Sequence, residues 1–370
     1  MKIALVTRRY PPLIGGAERV LSYLAPALAA EGAVVTVLTA DFAGAPPAVG
    51  DGPCRVIRLA NSRARFVGTW LYMRGLSRWF TRNRVDLAYV SMLKHDAYAV
   101  VGEGRRRGFP VVLRPEGAGA TGDIAWQAWG RFGGRIARRC RQADAVVAIS
   151  PAVRAELIGA GYDPSTIADL PNGVPVPDDP WRPRIDPGPL HAAFVGRLAP
   201  EKGLDALVDA WAIVRSEVPG AVLVLVGEGP ERRRLEARVG RLGLAGSVEL
   251  AGALADPSTV LRSSDLFVLP SREEGMSVAL LEAMALGIPS VASAIQGNLA
   301  LMADGVHGRL VPPDDPSALA RAILGHHADP RAPAMADAAR RRVVDHYSIA
   351  AVARSHLELF GRLVVGRQMG

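Results

Sequence analysis

The sequence has few cysteines, few aromatic residues and no long apolar run. Two cysteines, Cys54 and Cys140, among 370 residues exclude a disulfide framework and a cysteine-rich zinc site. Such low cysteine use is typical of a reducing compartment, here the cytoplasm. The first apolar run stops at Thr7, too early for the core of a secretory signal. No stretch reaches the roughly 18 apolar residues of a membrane-spanning helix, so we expect a soluble protein or one bound at a membrane surface.

Metal-binding patterns are also missing. The sequence contains no Asp-x-Asp and no group of His, Asp and Glu with the spacing of metal ligands. We therefore expect neither a catalytic metal nor a resident cofactor. Glycine and proline are plentiful but follow no period, which excludes a collagen-like repeat. Because 49% of the residues are hydrophobic and 22% charged, the chain can bury a sizeable core, and its length predicts two or three domains.

The positive charge is concentrated in one region. Residues 51–145 contain 18 Lys and Arg but 7 Asp and Glu, whereas the whole chain has a net charge of +8. Such a region could face a phosphate-bearing substrate, an anionic membrane or a nucleic acid, or could cover solvated helix faces. No nucleic-acid-binding motif accompanies the charge, so we expect no nucleic-acid partner.

The most basic segment, Arg63–Arg84, also carries large apolar residues. Four of them share roughly one helical face, with arginines around it: Phe66, Trp70, Met73 and Phe80. The helix could lie in a membrane interface, as a peripheral contact that holds the protein near a lipid-linked acceptor. The alternative is a helix packed on a sheet with its arginines toward water.

Apolar runs separated by helix-length segments predict two doubly wound α/β domains in tandem. The predicted strands are Lys2–Thr7, Ala33–Thr39, Val85–Ser91, Pro110–Leu113, Ala145–Ile149, Leu190–Val195, Ala221–Val226, Val248–Leu250, Leu266–Leu269 and Ser290–Ala292. A proline-rich stretch divides them, which predicts a first domain over 1–175, a linker over 176–189 and a second domain over 190–346. The last amphipathic helix, at about 347–366, is long enough to reach back to the first domain.

Two charged groups follow strands of the second domain. Arg197 and Lys202 lie in the loop Gly196–Gly203, where two cations beside a helix start suit a pyrophosphate. The alternative is a surface loop with solvated charges. Glu274 and Glu282 flank the start of the next helix, about 12 Å apart at helical rise, which suits a sugar and a ribose on either side of a pyrophosphate. A simple preference of acidic residues for helix N-termini explains Glu274 but not Glu282.

Together these patterns resemble the family 4 retaining glycosyltransferases of the GT-B fold, in which two Rossmann-like domains face each other across a cleft. The resemblance covers nearly the whole chain and rests on an ordered set of motifs: Gly15-Gly16-Ala17-Glu18, Pro171-Asn172-Gly173-Val174, Gly196–Gly203, Val226-Gly227-Glu228-Gly229-Pro230, Leu269-Pro270-Ser271 and Glu274-x7-Glu282. It implies a retaining, metal-independent transfer of a sugar from a nucleotide diphosphate donor to a hydroxyl acceptor. A UDP-sugar is the commoner donor, with GDP-mannose as the other choice.

The resemblance also implies roles for individual residues. Arg197 and Lys202 would hold the donor pyrophosphate, Glu274 the transferred sugar and Glu282 the ribose. The amides of Met276, Ser277 and Val278 would approach the β-phosphate and the sugar. Gly15 and Gly16 would let the backbone of the first domain approach the donor.

One position departs from the family pattern. Many members carry a His after the strand that corresponds to Pro110–Leu113, whereas this chain has Glu116 there. We expect Glu116 to contact the acceptor or the sugar, and His95, with Asp96 beside it, is a second acceptor-side candidate, although a lone His after a strand can be an ordinary loop residue. Catalytic roles would then fall to Glu274, Arg197, Lys202 and Glu116.

Two other functions remain open on the sequence alone. A non-catalytic protein of the same fold could bind nucleotide sugars or glycans, although the four charged donor-site residues argue against that. A dinucleotide oxidoreductase is disfavoured because Gly227-x-Gly229 falls short of the full glycine fingerprint.

Overall fold

The structure, a computed structural model, describes residues 1–11, 16–42, 54–62, 64–184 and 188–369. Its internal contacts divide the chain into unit 1, Met1–Gly173 with Ile349–Gly370, and unit 2, Val174–Ser348. The strands are β1 Lys2–Val6, β2 Val34–Ala40, β3 Cys54–Leu59, β4 Leu87–Ser91, β5 Val111–Arg114, β6 Ala145–Ala148, β7 Ile167–Asp169, β8 His191–Val195, β9 Val222–Val226, β10 Val248–Gly252, β11 Leu266–Leu269, β12 Ser290–Ser293 and β13 Arg309–Val311. The α-helices are α1 Gly16–Ala30, α2 Arg65–Arg82, α3 His95–Arg107, α4 Asp123–Trp129, α5 Gly133–Cys140, α6 Pro151–Gly159, α7 Leu204–Glu217, α8 Arg232–Arg241, α9 Ser258–Arg262, α10 Val278–Leu286, α11 Gln296–Leu299, α12 Pro316–Ala328, α13 Ala332–His346 and α14 Ile349–Met369.

Both units are built on a parallel sheet with the same strand order. Unit 1 has the order β3-β2-β1-β4-β5-β6-β7, and unit 2 has β10-β9-β8-β11-β12-β13. The predicted fold class, two Rossmann-like α/β domains, is confirmed. In each sheet the order reverses beside the first strand, between β1 and β4 and between β8 and β11. Ligands of such sheets bind outside the carboxyl ends of the strands at this reversal.

Burial explains which strands the sequence pattern predicts. Every residue of β4, β5, β6, β11 and β12 is buried, as expected for parallel strands covered on both faces. The pattern does not predict three strands, β3, β7 and β13, all of which lie at a sheet edge. These edge strands are partly exposed and so lack a continuous apolar run.

The C-terminal helix α14 packs within unit 1. It lies against α1, and His356 Nε2 is 3.2 Å from the Tyr89 hydroxyl of β4. A Cβ on Gly173 would lie 2.9 Å from Val352 Cβ, so this close approach requires glycine. The described part of the proline-rich stretch packs on unit 2 instead, where Trp181 donates from its backbone N to Leu286 O at 2.7 Å and Arg184 pairs with Asp265.

Helix α2 packs on unit 1 through its second half. Tyr72, Leu76 and Phe80 are buried, and the Phe80 ring stacks on Phe109 at a centroid distance of 5.1 Å. Phe80 lies on nearly the same helical face as Phe66, but its end of the helix is buried. Phe66 and Trp70 remain 61% and 55% exposed. No helix of the described residues is long and apolar enough to cross a membrane.

Candidate functional site

The loop after β8 places two cations at the carboxyl edge of the unit 2 sheet. Arg197 is exposed, and among the described residues its guanidinium has no hydrogen-bond or ion-pair partner. Lys202 ends a one-turn 3-10 helix, Pro200–Lys202, directly before α7. Both lie beside the strand reversal, as the spacing predicts. A cation left without a carboxylate partner can bind an anionic ligand without first breaking an ion pair.

Two glycines allow the loop after β8 to pack closely against the loop after β9. A Cβ on Gly227 would lie 1.8 Å from Gly196 O, and one on Gly229 would lie 2.1 Å from Leu198 O. The contact is completed by hydrogen bonds from Leu198 N to Glu228 O and from Glu231 N to Leu198 O, both 3.0 Å. The two glycines of the pattern therefore bring two backbones together and need no nucleotide to explain them.

An ion pair joins the loop after β8 to the loop after β11. Lys202 Nζ lies 2.6 Å from Glu274 Oε1, and the Ser271 hydroxyl donates to the same oxygen at 2.8 Å. The Lys202 and Glu274 side chains are only 18% and 11% exposed. The pair thus bridges the crevice between β8 and β11 and holds a partly buried cation and carboxylate next to each other.

The two loops are also fixed through their backbones. Arg272 N donates to Glu201 O at 2.8 Å, and the Arg272 guanidinium pairs with Asp205 at 2.7 Å and Asp314 at 2.6 Å. Gly203 has a φ of +61°, and a Cβ there would lie 2.2 Å from Pro270 O. These contacts fix the backbone of the loop that carries Lys202.

Helix α10 begins at this edge of the sheet. Ser277 is its N-cap, and its hydroxyl accepts from Leu280 N at 3.4 Å. Met276, Ser277 and Val278 are all buried around this helix start. The first amides of a helix have no intrahelical partner and carry a partial positive charge, which favours phosphate. Glu282 is half-buried within α10, so Glu274 and Glu282 lie before and inside the same helix, as predicted.

A second group of polar residues follows β4 and β5 in unit 1. The Ser91 hydroxyl donates to Glu116, and the Arg114 guanidinium lies 3.8 Å from Glu116 Oε1. Asp123 fixes the loop by accepting from Glu116 N at 2.8 Å and from Leu93 N at 3.1 Å. Burial raises the pKa of Glu116 to about 7, against the lowering effect of Arg114. A carboxyl with a pKa near neutrality can accept or donate a proton at physiological pH.

His95 is the first residue of α3 and contacts the Trp126 ring at a centroid distance of 5.6 Å. Burial lowers the pKa of His95, and the nearby positive charge of Arg8 lowers it further, so the ring is held neutral. The ring lines a cavity of about 550 Å³ at the carboxyl edge of the unit 1 sheet, together with Arg8, Met92 and Lys94. A neutral imidazole in such a cavity can hydrogen-bond a hydroxyl in either direction.

Asp96, which the sequence analysis names only as the neighbour of His95, lines the same cavity. It is 3% exposed, and its Oδ2 has no hydrogen-bond partner among the described residues. Burial raises the pKa of Asp96 to about 6. A buried carboxyl oxygen without a protein partner, beside a cavity, is available to a ligand or to a water molecule. The only sequence signal for Asp96 is its place next to His95 after a buried strand.

The structure gives little information on the two predicted glycines before and at the start of α1. Gly15 lies outside the described residues, and Gly16 is the exposed first residue of α1, where an added Cβ would meet no described atom within 4 Å. The need for glycine there therefore stays a prediction about a bound ligand. No group of three or more His, Cys, Asp and Glu that could hold a metal occurs in the described parts of the chain.

Comparisons with known proteins identify the family of the chain. The model of Glycosyltransferase Family 4 matches residues 14–176, and that of the glycosyl transferases group 1 matches residues 189–329. Glycogen synthase of Mycobacterium tuberculosis is 28% identical over 97% of this chain and 94% of its own length. An exopolysaccharide phosphotransferase of Streptomyces coelicolor is 35% identical over 42% of this chain, and the chain spans only 17% of that protein.

Solved structures show the same fold. Sucrose-phosphate synthase of Thermosynechococcus elongatus has a TM-score of 0.84, with 23% identity over 99% of both chains. HepE of Anabaena, solved in complex with UDP-glucose, has a TM-score of 0.80, with 21% identity over 98% of this chain and 100% of that one. With its two matched halves, its paired Rossmann-like sheets and its motifs in order, the chain belongs to the family 4 glycosyltransferases and has the GT-B fold.

Proposed function

We propose that this protein transfers a sugar from a nucleotide diphosphate donor, with UDP as the nucleotide, to a hydroxyl acceptor with retention of anomeric configuration. The observation that carries the proposal is the Lys202–Glu274 pair at the strand reversal of unit 2, beside the unpartnered guanidinium of Arg197. HepE, a protein of the same fold, has been solved with UDP-glucose, which supports UDP as the nucleotide.

Each part of the unit 2 site has a role in donor binding. Arg197 offers a planar fork and Lys202 a point charge to the pyrophosphate, and the amides that open α10 at Met276, Ser277 and Val278 add dipoles. Glu274 accepts from hydroxyls of the transferred sugar once Lys202 turns to the phosphate. Glu282 accepts from the ribose hydroxyls.

The reaction needs charge stabilisation more than a strong base. The bond between the anomeric carbon and the β-phosphate oxygen breaks, and the acceptor oxygen forms its bond to that carbon on the same face. The acceptor proton passes to the departing phosphate oxygen, so the nucleoside diphosphate leaves protonated at that oxygen. Arg197 and Lys202 stabilise the negative charge that develops there. These two cations do the work of a divalent cation, so we propose that the transfer is independent of metal.

We assign the acceptor side to unit 1. Glu116, Asp96 and His95 are carboxyl and imidazole groups that can bind and orient a hydroxyl. The acceptor we propose is an intermediate of a cell-surface or exopolysaccharide glycan, carried on a lipid. The enzyme would then work at the cytoplasmic face of the membrane, with a peripheral contact through the arginines of the basic segment that contains α2 and not through its aromatic side chains.

A thermal-shift series tests the donor assignment. UDP, GDP, ADP and their common sugar conjugates are added with and without EDTA, and a ligand at a hundredfold excess over its Kd stabilises by about 2.7 kcal/mol. We expect a shift with UDP and a UDP-sugar that EDTA leaves unchanged. The exposed Arg321 of α12 supplies a control variant, Arg321→Ala, that keeps the shift. No shift with any nucleotide would refute the donor site, and loss of the shift in EDTA would refute metal independence.

A further inference from the structure

Unit 1 exposes several large aromatic side chains that the proposed reaction does not use. Four of them are more than half exposed: Phe66 61%, Trp70 55%, Trp129 71% and Phe132 56%. This exposure stands out because only 6% of the residues in the chain are aromatic. Large apolar groups that cluster at a surface mark a binding site.

These side chains belong to a single concave groove of about 980 Å³. Its walls come from α2, from the start of α3, and from α4 and α5, with Trp126 and Ile136 among the lining residues. Phe132 has a φ of +65°, a left-handed conformation that is uncommon for a non-glycine residue, and its ring lines the groove. Strained backbone of this kind clusters at ligand sites.

The groove is cationic as well as aromatic. Arg131 and Arg135 line it, and no acidic residue of the described parts of the chain does. The Arg131 guanidinium lies 4.7 Å from the centroid of the Phe66 ring and 5.2 Å from that of Phe132. An arginine that stacks on aromatic rings keeps its charge and its outward N–H groups, so it remains able to bind a phosphate.

The groove is continuous with the acceptor-side cavity. His95 and Thr69 line both the groove and the 550 Å³ cavity that contains Asp96. At its other side, Trp70, Met73 and Tyr98 also line a cavity of about 710 Å³ with four arginines and no acidic residue among the described residues. An apolar groove with cations beside it therefore adjoins the polar residues assigned to the acceptor hydroxyl.

We propose that this groove binds the apolar chain of a lipid phosphate acceptor. The sugar of the acceptor would enter the cavity with His95 and Asp96, its phosphate would meet Arg131 and Arg135, and its hydrocarbon chain would lie on Trp70 and Trp129. This inference rests on the proposed function, because it names the acceptor of that reaction.

The shape of the groove favours a single chain over a membrane surface. An interfacial helix offers one convex apolar face to lipid, whereas α2 buries Tyr72, Leu76 and Phe80 against its own unit. Three of its other apolar side chains, Phe66, Trp70 and Met73, line the concave groove. A concave groove of this kind can enclose a single narrow chain, whereas its aromatic side chains would make less contact with a flat bilayer.

Calorimetry with three small probes tests the inference. Farnesyl diphosphate has an apolar chain and a phosphate, farnesol lacks the phosphate, and inorganic pyrophosphate lacks the chain. We expect farnesyl diphosphate to bind at least tenfold more tightly than either of the others. Each buried methylene contributes about fourfold in affinity, and each arginine adds a charge-assisted hydrogen bond.

Variants of exposed residues separate binding from folding. The double variant Trp70→Ser with Trp129→Ser should bind farnesyl diphosphate at least tenfold more weakly than the wild type. Its UDP thermal shift should be unchanged. Arg131→Gln with Arg135→Gln should bring the affinity for farnesyl diphosphate close to that for farnesol. The matched control, Leu242→Ser with Leu299→Ser, removes two residues of unit 2 that are 42% and 53% exposed, and should bind as the wild type does.

Three outcomes would overturn the inference. One is equal binding by the tryptophan variant and the wild type. Another is binding to phosphatidylglycerol vesicles that depends on the tryptophans without binding of monomeric farnesyl diphosphate, which would indicate a membrane surface. The third is a dimer that the tryptophan variant abolishes, which would indicate a second copy in the groove. In each case an intact UDP shift would leave the proposed function standing.

Discussion

Substitution of Glu116 by Gln should change how the stability of the protein depends on pH. The pKa of Glu116 is raised from its ordinary value of 4.5 to about 7, and the first cause is burial. A carboxyl with a raised pKa stabilises the fold while it is protonated. That contribution is fully present below pH 4.5, declines as the pH rises toward 7, and is absent above it. Glutamine has almost the same shape, can still accept from Ser91, and does not titrate.

The size of the effect follows from the two pKa values. A difference between 4.5 and about 7 corresponds to about 3 kcal/mol in total, of which roughly 2.5 kcal/mol is lost between pH 5 and pH 8. The free energy of unfolding of the wild type should therefore fall, relative to that of Glu116→Gln, by roughly that amount over this range. Asp96 also titrates near this range, but it is present in both proteins and so largely cancels in the comparison.

Urea unfolding at pH 5 and pH 8, followed by tryptophan fluorescence, measures this difference. Four of the six tryptophans, at positions 70, 79, 126 and 129, lie in unit 1 and report its unfolding. Thr121→Ser, at an exposed position in the loop that follows Glu116, is the control and should leave the pH dependence unchanged. An equal difference between variant and wild type at the two pH values would show that Glu116 titrates as an ordinary carboxyl, and the acceptor-side assignment would lose its physical basis.

Further variants test the unit 2 site. Glu274→Gln should abolish sugar transfer while the UDP thermal shift remains, whereas Glu282→Ala should weaken UDP binding; both assignments fail if both variants bind UDP and transfer sugar normally. Arg197→Ala should weaken UDP binding at least tenfold, and Arg321→Ala should leave UDP binding unchanged in the same assay. The melting temperature of the free Arg197→Ala protein should not change, because the side chain has no partner among the described residues to lose. Gly227→Ala should lower the melting temperature in the absence of ligand, because its Cβ would lie 1.8 Å from a backbone oxygen; an unchanged melting temperature would show that the two loops can separate freely.

The fold was largely predictable because the central strands of both sheets are buried on both faces. Such strands appear in the sequence as continuous apolar runs, for example Leu266–Leu269. The edge strand Cys54–Leu59 could not be found in this way, because Arg55 and Arg58 interrupt its apolar residues. Phe80 shares a helical face with Phe66 by angle, yet Phe80 is buried whereas Phe66 is exposed. Helical periodicity groups residues by angle, but which part of a long helix meets the sheet is decided by tertiary packing.

The loops of the candidate site in unit 2 were also visible in the sequence, because their residues follow strands at the reversal and keep family spacing. The ion pair between Lys202 and Glu274 was not, since 72 residues separate them and only the parallel neighbours β8 and β11 bring them together. The sequence points to Asp96 only as the neighbour of His95, because a buried, unpartnered carboxyl oxygen is a property of packing. Sequence spacing locates the loops at a sheet edge. Which side chains are buried or paired within those loops is seen only in the three-dimensional structure.

The discontinuity of unit 1 has a consequence for biosynthesis. Helix α14, which comes after all of unit 2 in the chain, packs on α1 and places His356 against Tyr89 in the middle of the unit 1 sheet. During translation the packing of unit 1 is therefore incomplete until residues 349–369 leave the ribosome. Unit 2 is continuous over Val174–Ser348 and can reach its native state earlier. The order of synthesis and the order of folding thus differ, and the nascent first half is the part that most needs protection by chaperones.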